Sequence, residues 1–406
     1  MIRKFILLLA ITLLLGNCQH QQKAVTDISQ LPWDDIEQLA RGTTINMMMW
    51  TGDPLINDYM RQYVAPELKK RYDIALNIAS GQGNIIVQSL MAEIQAGKQD
   101  SELDLLWING ETFFQLRQID ALFGPWTDKM PNDTLIDWGN PFIATDFQQP
   151  VAGFECPWGN VQLALIYNSE KMADPPRTRP ELAAFAKEHP GKFTFDMQFT
   201  GLTFLKCLLI DIAGGPEQLA GPFDEKKYQQ YSKQLWSYLR DIQPYLWKEG
   251  RTFPEAVAPM HQLFANGEIW FTMSNNDCEV DNKIRQGIFP PSARAYVLAG
   301  GTIQNTHYLG IPRLAVNKAG AIVACNFLTS PEAQYRKQDP KVWGDGTVLD
   351  LNKLTPEWQE RFAKLPVRQY GPSRSEMQQY ALPEPAPEYM IRLAEDFRTI
   401  IIEGNQ

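Results

Sequence analysis

Apolar residues in the first third of the chain follow two alternating patterns. Short, mainly apolar runs at Ile45–Met49, Ile74–Ile78 and Leu103–Ile108 predict three strands. Between them, apolar residues recur at three- and four-residue steps over 55–68 and 86–94, which predicts one helix in each interval. Strands and helices that alternate in this order predict a parallel sheet with helices on both faces.

A second set of elements follows the apolar strand Val161–Tyr167. Its predicted helices are Pro180–Lys187, Leu202–Ala213 and Tyr231–Tyr245. The run Ile269–Met273 then predicts a strand that leads back towards the first sheet. A chain that leaves one α/β unit and later returns to it forms two lobes joined by two crossover strands. We therefore expect a cleft between the lobes.

The predicted fold class is α/β, with two lobes that each contain a mainly parallel sheet flanked by helices. A chain of 406 residues exceeds what one hydrophobic core usually holds, which supports the division into two lobes. Residues 34–158 and 277–345 are assigned to lobe 1. Residues 159–276 and 346–406 are assigned to lobe 2.

The first residues have the pattern of an export signal with a lipid attachment site. Two basic residues precede the apolar run Phe5–Leu15, which is too short to cross a membrane and suits a secretory signal. The sequence LGNC follows, and its Cys18 is the expected lipid acceptor, although Asn17 replaces the usual small residue. Residues 1–18 are predicted to be a lipoprotein signal peptide and residues 19–33 a tether. We expect a periplasmic protein that is anchored to the membrane through Cys18.

Charge and motifs exclude several classes of function. The formal net charge of −9 argues against a nucleic-acid partner, because phosphate binding requires a basic surface. The chain contains no G-x-S-x-G, H-E-x-x-H or Walker A motif, and its four histidines are scattered. We therefore expect no enzymatic activity, no cofactor and no bound metal. One enzymatic alternative stays open, a glycan hydrolase that uses Asp53 and Glu111 as paired carboxylates.

Four cysteines follow the signal peptide, and none of them is close to another in sequence. They are Cys156, Cys207, Cys278 and Cys325. An exported chain can pair its cysteines, and four of them allow three connectivities. Cys207 and Cys325 lie in apolar helical runs, which favours buried free thiols over disulfides.

The candidate ligand-binding residues lie at the predicted strand ends and crossovers, because ligands bind at the carboxyl ends of parallel strands. They are Trp50, Asp53, Asn109, Glu111, Trp158, Tyr167, Thr200, Asn275 and Asn276. Asp53 followed by Pro54 is also typical of a helix start, and Asn109 and Thr200 suit helix caps. Trp50 is the strongest candidate, because a large aromatic residue at the exposed end of a strand buries only part of its surface there.

The loops assigned to the cleft are rich in aromatic and acidic residues and contain hardly any lysine or arginine. Glu155 and Asp277 add to the acidic residues among the candidates. Ring faces and desolvated carboxylates both attract positive charge. The predicted ligand is therefore an organic cation or amine, with a neutral sugar stacked on the tryptophans as the alternative.

Several segments resemble the YnjB-type family of ABC-transporter solute-binding proteins. They are Leu105–Phe113, Cys156–Gly159, Phe199–Leu205, Tyr245–Gly250, Pro331–Gln334 and Asp339–Asp345. The resemblance extends over nearly the whole mature chain. It implies the type II periplasmic binding protein fold, in which two α/β lobes close around a ligand and deliver it to a membrane permease driven by an ATPase. It implies no particular ligand and no particular contact residues.

We therefore predict an extracytoplasmic solute-binding component of an ABC importer. Its expected partners are a small-molecule solute, an ABC permease and, through the permease, a cytoplasmic ATPase. The protein itself is expected to be a monomer. A sensing module of the same fold is a further alternative, which differs from the importer component in its partner.

Overall fold

The computed structural model describes residues 28–276 and 278–405. The predicted signal peptide, its lipid acceptor Cys18 and most of the predicted tether lie outside these residues, as does Asp277. The described chain starts with a 3₁₀ turn at Ile28–Gln30. Within the described ranges, no helix is both long enough and apolar enough to cross a membrane.

The described residues form strands and helices that follow the predicted alternation. The strands are β1 (Thr44–Met49), β2 (Ala75–Ser80), β3 (Leu105–Ile108), β4 (Thr145–Asp146), β5 (Gln149–Pro150), β6 (Glu155–Gln162), β7 (Ala164–Asn168), β8 (Phe271–Ser274), β9 (Ala293–Tyr296), β10 (Thr302–Gly310) and β11 (Ala381–Leu382). The helices are α1 (Trp33–Ala40), α2 (Pro54–Asp58), α3 (Ala65–Tyr72), α4 (Asn84–Gln95), α5 (Gly110–Gln118), α6 (Pro141–Ala144), α7 (Arg179–Glu188), α8 (Phe199–Ala213), α9 (Glu225–Ile242), α10 (Val257–Ala265), α11 (Glu279–Arg285), α12 (Lys318–Leu328), α13 (Pro331–Gln338), α14 (Pro356–Ala363), α15 (Arg374–Gln378) and α16 (Pro387–Asp396). The helix predicted over 55–68 consists of α2 and α3, joined by a π-helical segment at Tyr59–Val64.

The larger sheet belongs to the first lobe. Its strand order is β11-β10-β3-β1-β2, with β6 paired to β10. β1 runs parallel to both β2 and β3, as predicted. The carboxyl ends of β1 and β3 therefore lie along one edge, and this edge carries Trp50 and Asn109. β10 runs antiparallel to β3 and β6, so the sheet is mixed.

The smaller sheet belongs to the second lobe and has the order β8-β7-β9. Both of its pairings are antiparallel, which differs from the predicted parallel arrangement. The reason is the direction of the chain, because β7 leads away from the first lobe whereas β8 and β9 lead back. The core of this lobe is built around α8, which is buried from Thr200 to Ile210.

Two crossings connect the lobes, and they correct the predicted boundaries. The first crossing is at Leu163, which separates β6 from β7, so the strand predicted over Val161–Tyr167 is divided between two sheets. The second crossing follows β9 and leads into β10 over 297–301, later than the predicted position at Asn275. The segment 278–296 thus belongs to the second lobe, because β9 pairs with β7 there.

The C-terminal segment 346–406 divides between the lobes instead of joining lobe 2 as a whole. Val348 and Phe362 pack with Ile136 and Ile143, which precede the first crossing. Residues from Met377 onwards, including most of the buried face of α16, pack in the core of the second lobe. Long-range packing of this kind carries no local sequence signal, which explains the difference from the predicted boundary at 346.

Candidate ligand-binding site

A cavity of about 300 Å³ lies between the two lobes. Its size is at the lower end of the range typical of small-molecule sites. The first lobe contributes Trp50, Gly52, Asp53, Trp107, Asn109, Asn305, His307 and Trp343 to its wall. The second lobe contributes Asp196, Gln198, Thr200, His261, Ser274, Asn275, Asn276, Glu279 and Lys283.

Trp50 follows β1 and is half-buried at the cavity. Its indole ring lies directly over the backbone of Gly52. A Cβ atom added at Gly52 would lie 2.5 Å from ring atom Cζ2, so only glycine permits this position of the ring. The other edge of the ring packs against the core of the first lobe. Trp50 thus contacts both the cavity and the core.

Asp53 forms the N-cap of α2 and also an ion pair across the cleft. Its Oδ1 accepts hydrogen bonds from the backbone N–H groups of Leu55 at 2.8 Å and Ile56 at 3.4 Å. Its Oδ2 accepts a hydrogen bond from Nζ of Lys283 at 2.7 Å. Lys283 lies on α11 in the second lobe, so this pair connects the two lobes beside the cavity.

Lys283 begins a chain of buried polar groups in the second lobe. Its Nζ lies 3.3 Å from Oε1 of Glu279, which in turn lies 3.2 Å from Nε2 of His261. Nδ1 of His261 is 2.8 Å from the hydroxyl of Thr272, which fixes the ring. Burial acts to raise the pKa of Glu279, but His261 and Lys283 outweigh it and hold this pKa below its usual value. Glu279 therefore stays ionised.

Asp196 lies in the loop that precedes α8 and is almost completely buried. Its Oδ1 accepts a hydrogen bond from the backbone N–H of Gln198 at 2.8 Å. Its Oδ2 has no hydrogen-bond donor within reach among the described residues. Burial raises the pKa of Asp196, although the N–H groups of Gln198 and Gly201 act against this shift.

Three amide and hydroxyl side chains predicted from the sequence, Thr200, Asn275 and Asn276, line the same wall of the cavity as Asp196. The side chain of Asn275 donates from Nδ2 to the hydroxyl of Thr200 at 3.3 Å. Nδ2 of Asn276 donates to Oε2 of Glu279 at 3.1 Å. Thr200 is not a helix cap as predicted, because Gln198 occupies the N-cap position of α8.

Asn109 lies on the opposite wall of the cavity. It occupies the N-cap position of α5, but its side chain makes no capping hydrogen bond. The predicted structural role of its amide is therefore absent, and the side chain belongs to the cavity wall.

Three predicted residues lie away from the cavity wall. Trp158 has 0% exposure and packs edge-on against Trp107, with ring centroids 4.9 Å apart. Tyr167 lies on β7 and packs against Phe271 and Tyr296. Glu111 lies in the first turn of α5 and is half-buried, and desolvation raises its pKa. Trp158 and Tyr167 lie on strands, where side chains alternate between two faces, so only one face reaches the cavity. A role of these three residues in binding a solute stays a prediction.

The first-lobe wall contains aromatic residues that sequence reasoning missed or placed incorrectly. Trp107 was interpreted as part of a buried strand, and Trp343 only as part of a family segment. His307 was assigned to a loop, but it lies on β10 with its ring parallel to Trp343 at a centroid distance of 5.8 Å. Nε2 of His307 lies 3.0 Å from Oδ2 of Asp345, which fixes the imidazole. The recurrence of tryptophan in the family-like segments was the available signal.

Two further predictions concern metals and thiols. Among residues 28–276 and 278–405, no group of His, Cys, Asp and Glu side chains is arranged to hold a metal ion. The cysteines Cys156, Cys207, Cys278 and Cys325 are buried and form no disulfide among the described residues, in agreement with the favoured interpretation.

Two α/β lobes around a central cavity define a periplasmic binding protein of type II. Residues 63–387 match the family of bacterial extracellular solute-binding proteins. Protein YnjB of Escherichia coli (strain K12) is 37% identical over 326 residues, which cover 79% of this chain and 84% of that protein. The chain therefore belongs to the bacterial extracellular solute-binding protein family, which confirms the resemblance. Membership implies a periplasmic solute-binding component of an ABC transporter.

Solved structures of low sequence identity share the fold. AfuA from Actinobacillus pleuropneumoniae, with fructose-6-phosphate bound, has a TM-score of 0.62 at 13% identity and covers 88% of this chain and 98% of its own. Iron-bound HitA from Pseudomonas aeruginosa has a TM-score of 0.59 at 14% identity, covering 87% and 99%. The spermidine/putrescine substrate-binding protein PotD from Streptococcus pneumoniae has a TM-score of 0.58 at 13% identity, covering 88% and 99%. These proteins are named for, or have bound, unlike ligands, so the fold alone does not select one.

Proposed function

We propose that this protein captures a small organic cation or amine in the interlobe cavity and delivers it to an ABC permease. The observation that carries the proposal is the excess of acidic groups on the cavity wall. Asp53, Asp196 and Glu279 contribute three carboxyl groups, against one lysine, Lys283. The ring of Trp50 beside them adds a face that attracts positive charge.

An anionic solute fits this wall less well. No arginine is among the described residues of the cavity wall, and arginine is the residue best suited to hold a phosphate or carboxylate group. Lys283 is already paired with Asp53 and Glu279. The spermidine/putrescine protein PotD, which shares the fold, is named for two polyamines. This supports a cationic solute without selecting a particular one.

Six of the predicted residues line the cavity and are proposed as contacts of the solute. They are Trp50, Asp53, Asn109, Thr200, Asn275 and Asn276. Mass spectrometry of the small molecules released from natively purified protein tests the proposal. We expect a species that is cationic at neutral pH, and an anionic metabolite in the cavity would overturn it.

A neutral sugar is the second candidate. The observation in its favour is the presence of three tryptophans, Trp50, Trp107 and Trp343, together with the amides of Asn109 and Asn275. Isothermal titration with a panel of mono- and disaccharides, beside a panel of amines, separates the two candidates.

Delivery to a permease requires that the loaded form differs in shape from the empty form. Transport assays in a strain that lacks this protein, with and without the chain restored, test delivery. Loss of uptake without the chain supports an importer, whereas unchanged uptake favours the sensing alternative.

Anchoring through Cys18 and a monomeric state complete the proposal. Cys18→Ser is expected to release the protein from the membrane fraction, and light scattering is expected to give the mass of one chain.

The hydrolase alternative is weakened because Asp53 lines the cavity whereas Glu111 does not. Incubation of the protein with envelope glycans tests this alternative directly. Glycan hydrolysis by the unmodified protein that is absent in Asp53→Asn would favour the hydrolase.

A further inference from the structure

The three carboxyl groups on the cavity wall differ in the partners that they already have. Both oxygens of Asp53 accept hydrogen bonds, from the α2 backbone and from Lys283. Oε1 of Glu279 faces Lys283 and His261, and Oε2 accepts from Asn276. In Asp196, by contrast, Oδ2 has no donor among the described residues, although the side chain is only 1% exposed. Asp196 is thus the carboxyl group with binding capacity left.

The backbone around Asp196 holds its carboxyl group in one position. The N–H of Gln198 donates to Oδ1 at 2.8 Å, and the N–H of Gly201 also faces the carboxyl group. The first turn of α8 packs tightly on this loop, because a Cβ atom added at Gly201 would lie 1.8 Å from the carbonyl oxygen of Asp196. A fixed acceptor with one oxygen that lacks a hydrogen bond is suited to bind a donor from a ligand, because its position is set before the ligand binds.

A second acceptor lies on the same wall. Asn275 uses its Nδ2 to donate to Thr200, and its Oδ1 is buried with no donor among the described residues. A buried acceptor without a donor is unfavourable, because it loses its hydrogen bonds to water on burial. Asp196 and Asn275 therefore offer one charged and one neutral acceptor, and no donor of the described chain satisfies either.

We propose that Asp196, with Asn275 as second acceptor, anchors a protonated primary or secondary amine of the solute through N–H donors. The inference rests on the proposed function and deepens it, because it names the class of cation. A primary or secondary ammonium group carries more than one N–H donor, so it has a donor for each acceptor. A quaternary ammonium group carries the same charge but has no N–H to donate, so it leaves both oxygens unpaired.

Isothermal titration of the mature chain tests the anchor with defined probes. The primary amines are n-butylamine, putrescine and spermidine, the quaternary ion is choline, and 1,4-butanediol is the neutral analogue of putrescine. We expect at least one primary amine to bind at least about 30-fold more tightly than either choline or butanediol, because a buried charged hydrogen bond is at stake.

Asp196→Asn is the decisive variant. We expect it to weaken binding of that amine at least about 30-fold and to leave any binding of butanediol unchanged. Asp133→Asn is the matched control, since Asp133 also has a buried oxygen without a donor in the described chain but is absent from the cavity wall. It is expected to bind the amine as the unmodified protein does. Circular dichroism and thermal unfolding verify that both variants are folded.

The outcomes separate this inference from the proposed function. If primary amines bind but Asp196→Asn binds them as tightly as Asp133→Asn does, the anchor is overturned and cation capture stands. If choline binds more tightly than every primary amine, the N–H requirement is overturned. If none of the cations binds, the proposed function itself fails. Should Asp196→Asn not fold, Asn275→Asp replaces it, and the expected result is tighter amine binding because a fourth carboxyl group joins the wall; unchanged or weaker amine binding would overturn the anchor.

Discussion

The indole ring of Trp50 reaches the cavity because its neighbour Gly52 has no side chain. The ring lies where a Cβ atom of residue 52 would be, 2.5 Å from Cζ2. The sequence places a tryptophan and a glycine at the end of a strand, but it does not tell which way the ring turns. The close approach of ring and backbone fixes that direction, and it links the identity of residue 52 to ligand binding.

Gly52→Ala is expected to weaken binding of a cationic solute by about tenfold. The added methyl group displaces the ring and removes a cation–π contact of about 0.5–2 kcal/mol. Isothermal titration measures the change, and Gly139→Ala is the control, because a Cβ atom at Gly139 meets only an ordinary contact at 3.6 Å. Equal affinity in both variants would show that Trp50 does not contact the solute.

The buried thiols allow a second prediction at individual side chains. Burial raises the pKa of Cys207 to about 12, and it raises the pKa of Cys156 well above its usual value. Because the thiolate is the reactive form, the native Cys18→Ser protein is expected to react with a thiol reagent at pH 8 only slowly. In denaturant without reductant, four thiols per chain are expected to react. A count of two or none would reveal disulfides instead.

A second group of buried acids lies where α5, β4 and β6 meet the segment before α16. The acids are Glu111, Asp146, Glu155 and Glu384, and the lysine among them is Lys206. Nζ of Lys206 lies 2.5 Å from Oε2 of Glu384, and this lysine is fully buried. Burial raises the pKa of Glu384 to about 7, even beside the lysine. Several acids thus share one cation, which favours their neutral forms.

These shifts predict that the protein loses stability as the pH rises from about 4.5 to 7. A carboxyl group whose pKa is raised on folding stabilises the folded protein fully at a pH below its unfolded-state pKa. This stabilisation is lost as the pH rises through the pKa of the folded state. Burial and Asp146 raise the pKa of Glu155 well above its usual value. Each group that stays protonated over this interval lowers the free energy of unfolding by about 3 kcal/mol.

Glu155→Gln is expected to flatten this pH dependence, because glutamine resembles the protonated acid. Urea unfolding at pH 4.5 and pH 7 measures the difference, with the exposed Glu357→Gln as the control. The carboxyl groups with lowered pKa values, such as Asp345, change their protonation below pH 4.5 and therefore do not contribute to this slope. An unchanged slope in Glu155→Gln would show that Glu155 ionises as freely as in the unfolded chain.

The two lobes are held beside the cavity by a charge pair from distant parts of the chain. Asp53 follows β1, and Lys283 lies on α11 in the second lobe, with 2.7 Å between Oδ2 and Nζ. Burial acts to lower the pKa of Lys283, but Glu279 and Asp53 outweigh it and raise this pKa. The lysine therefore stays charged, and the pair resists opening of the cleft.

A double-mutant cycle tests this connection between the lobes. Lys283→Met is expected to lower the free energy of unfolding by about 3–5 kcal/mol, since it removes the buried cation that Asp53 and Glu279 share. Asp53→Asn is expected to lower it by less, because Lys283 keeps Glu279 as a partner. The double variant is expected to lose clearly less than the sum. Urea unfolding measures all three variants. Additive losses would show that the two side chains do not interact in solution.

Small-angle scattering provides a second measurement on the same variants. Lys283→Met is expected to have a larger radius of gyration than the unmodified protein in the absence of solute, because one tie across the cleft is removed. Lys353→Met, an exposed lysine outside the cavity wall, is the control. Equal radii of gyration in Lys283→Met and Lys353→Met would show that the Asp53–Lys283 pair stabilises the fold without holding the cleft closed.

The sequence by itself determined the elements and the class of protein. Hydrophobic periodicity is a local property, so β1, β2 and β3 were predicted with their parallel order, and the family segments added the two-lobed fold. The strand ends supplied Trp50, Asp53 and Asn109, because position along a strand is also local.

Only the tertiary structure decided which side chains share the cavity. Lys283 meets Asp53 across 230 residues of chain, and Asp196 and Asn275 line the same cavity from distant parts of the chain. Trp158 turns into the core while Trp107 reaches the wall, although both lie on strands of one sheet. Such choices depend on which face of a strand is covered and on how distant segments pack. No pattern of neighbouring residues encodes them.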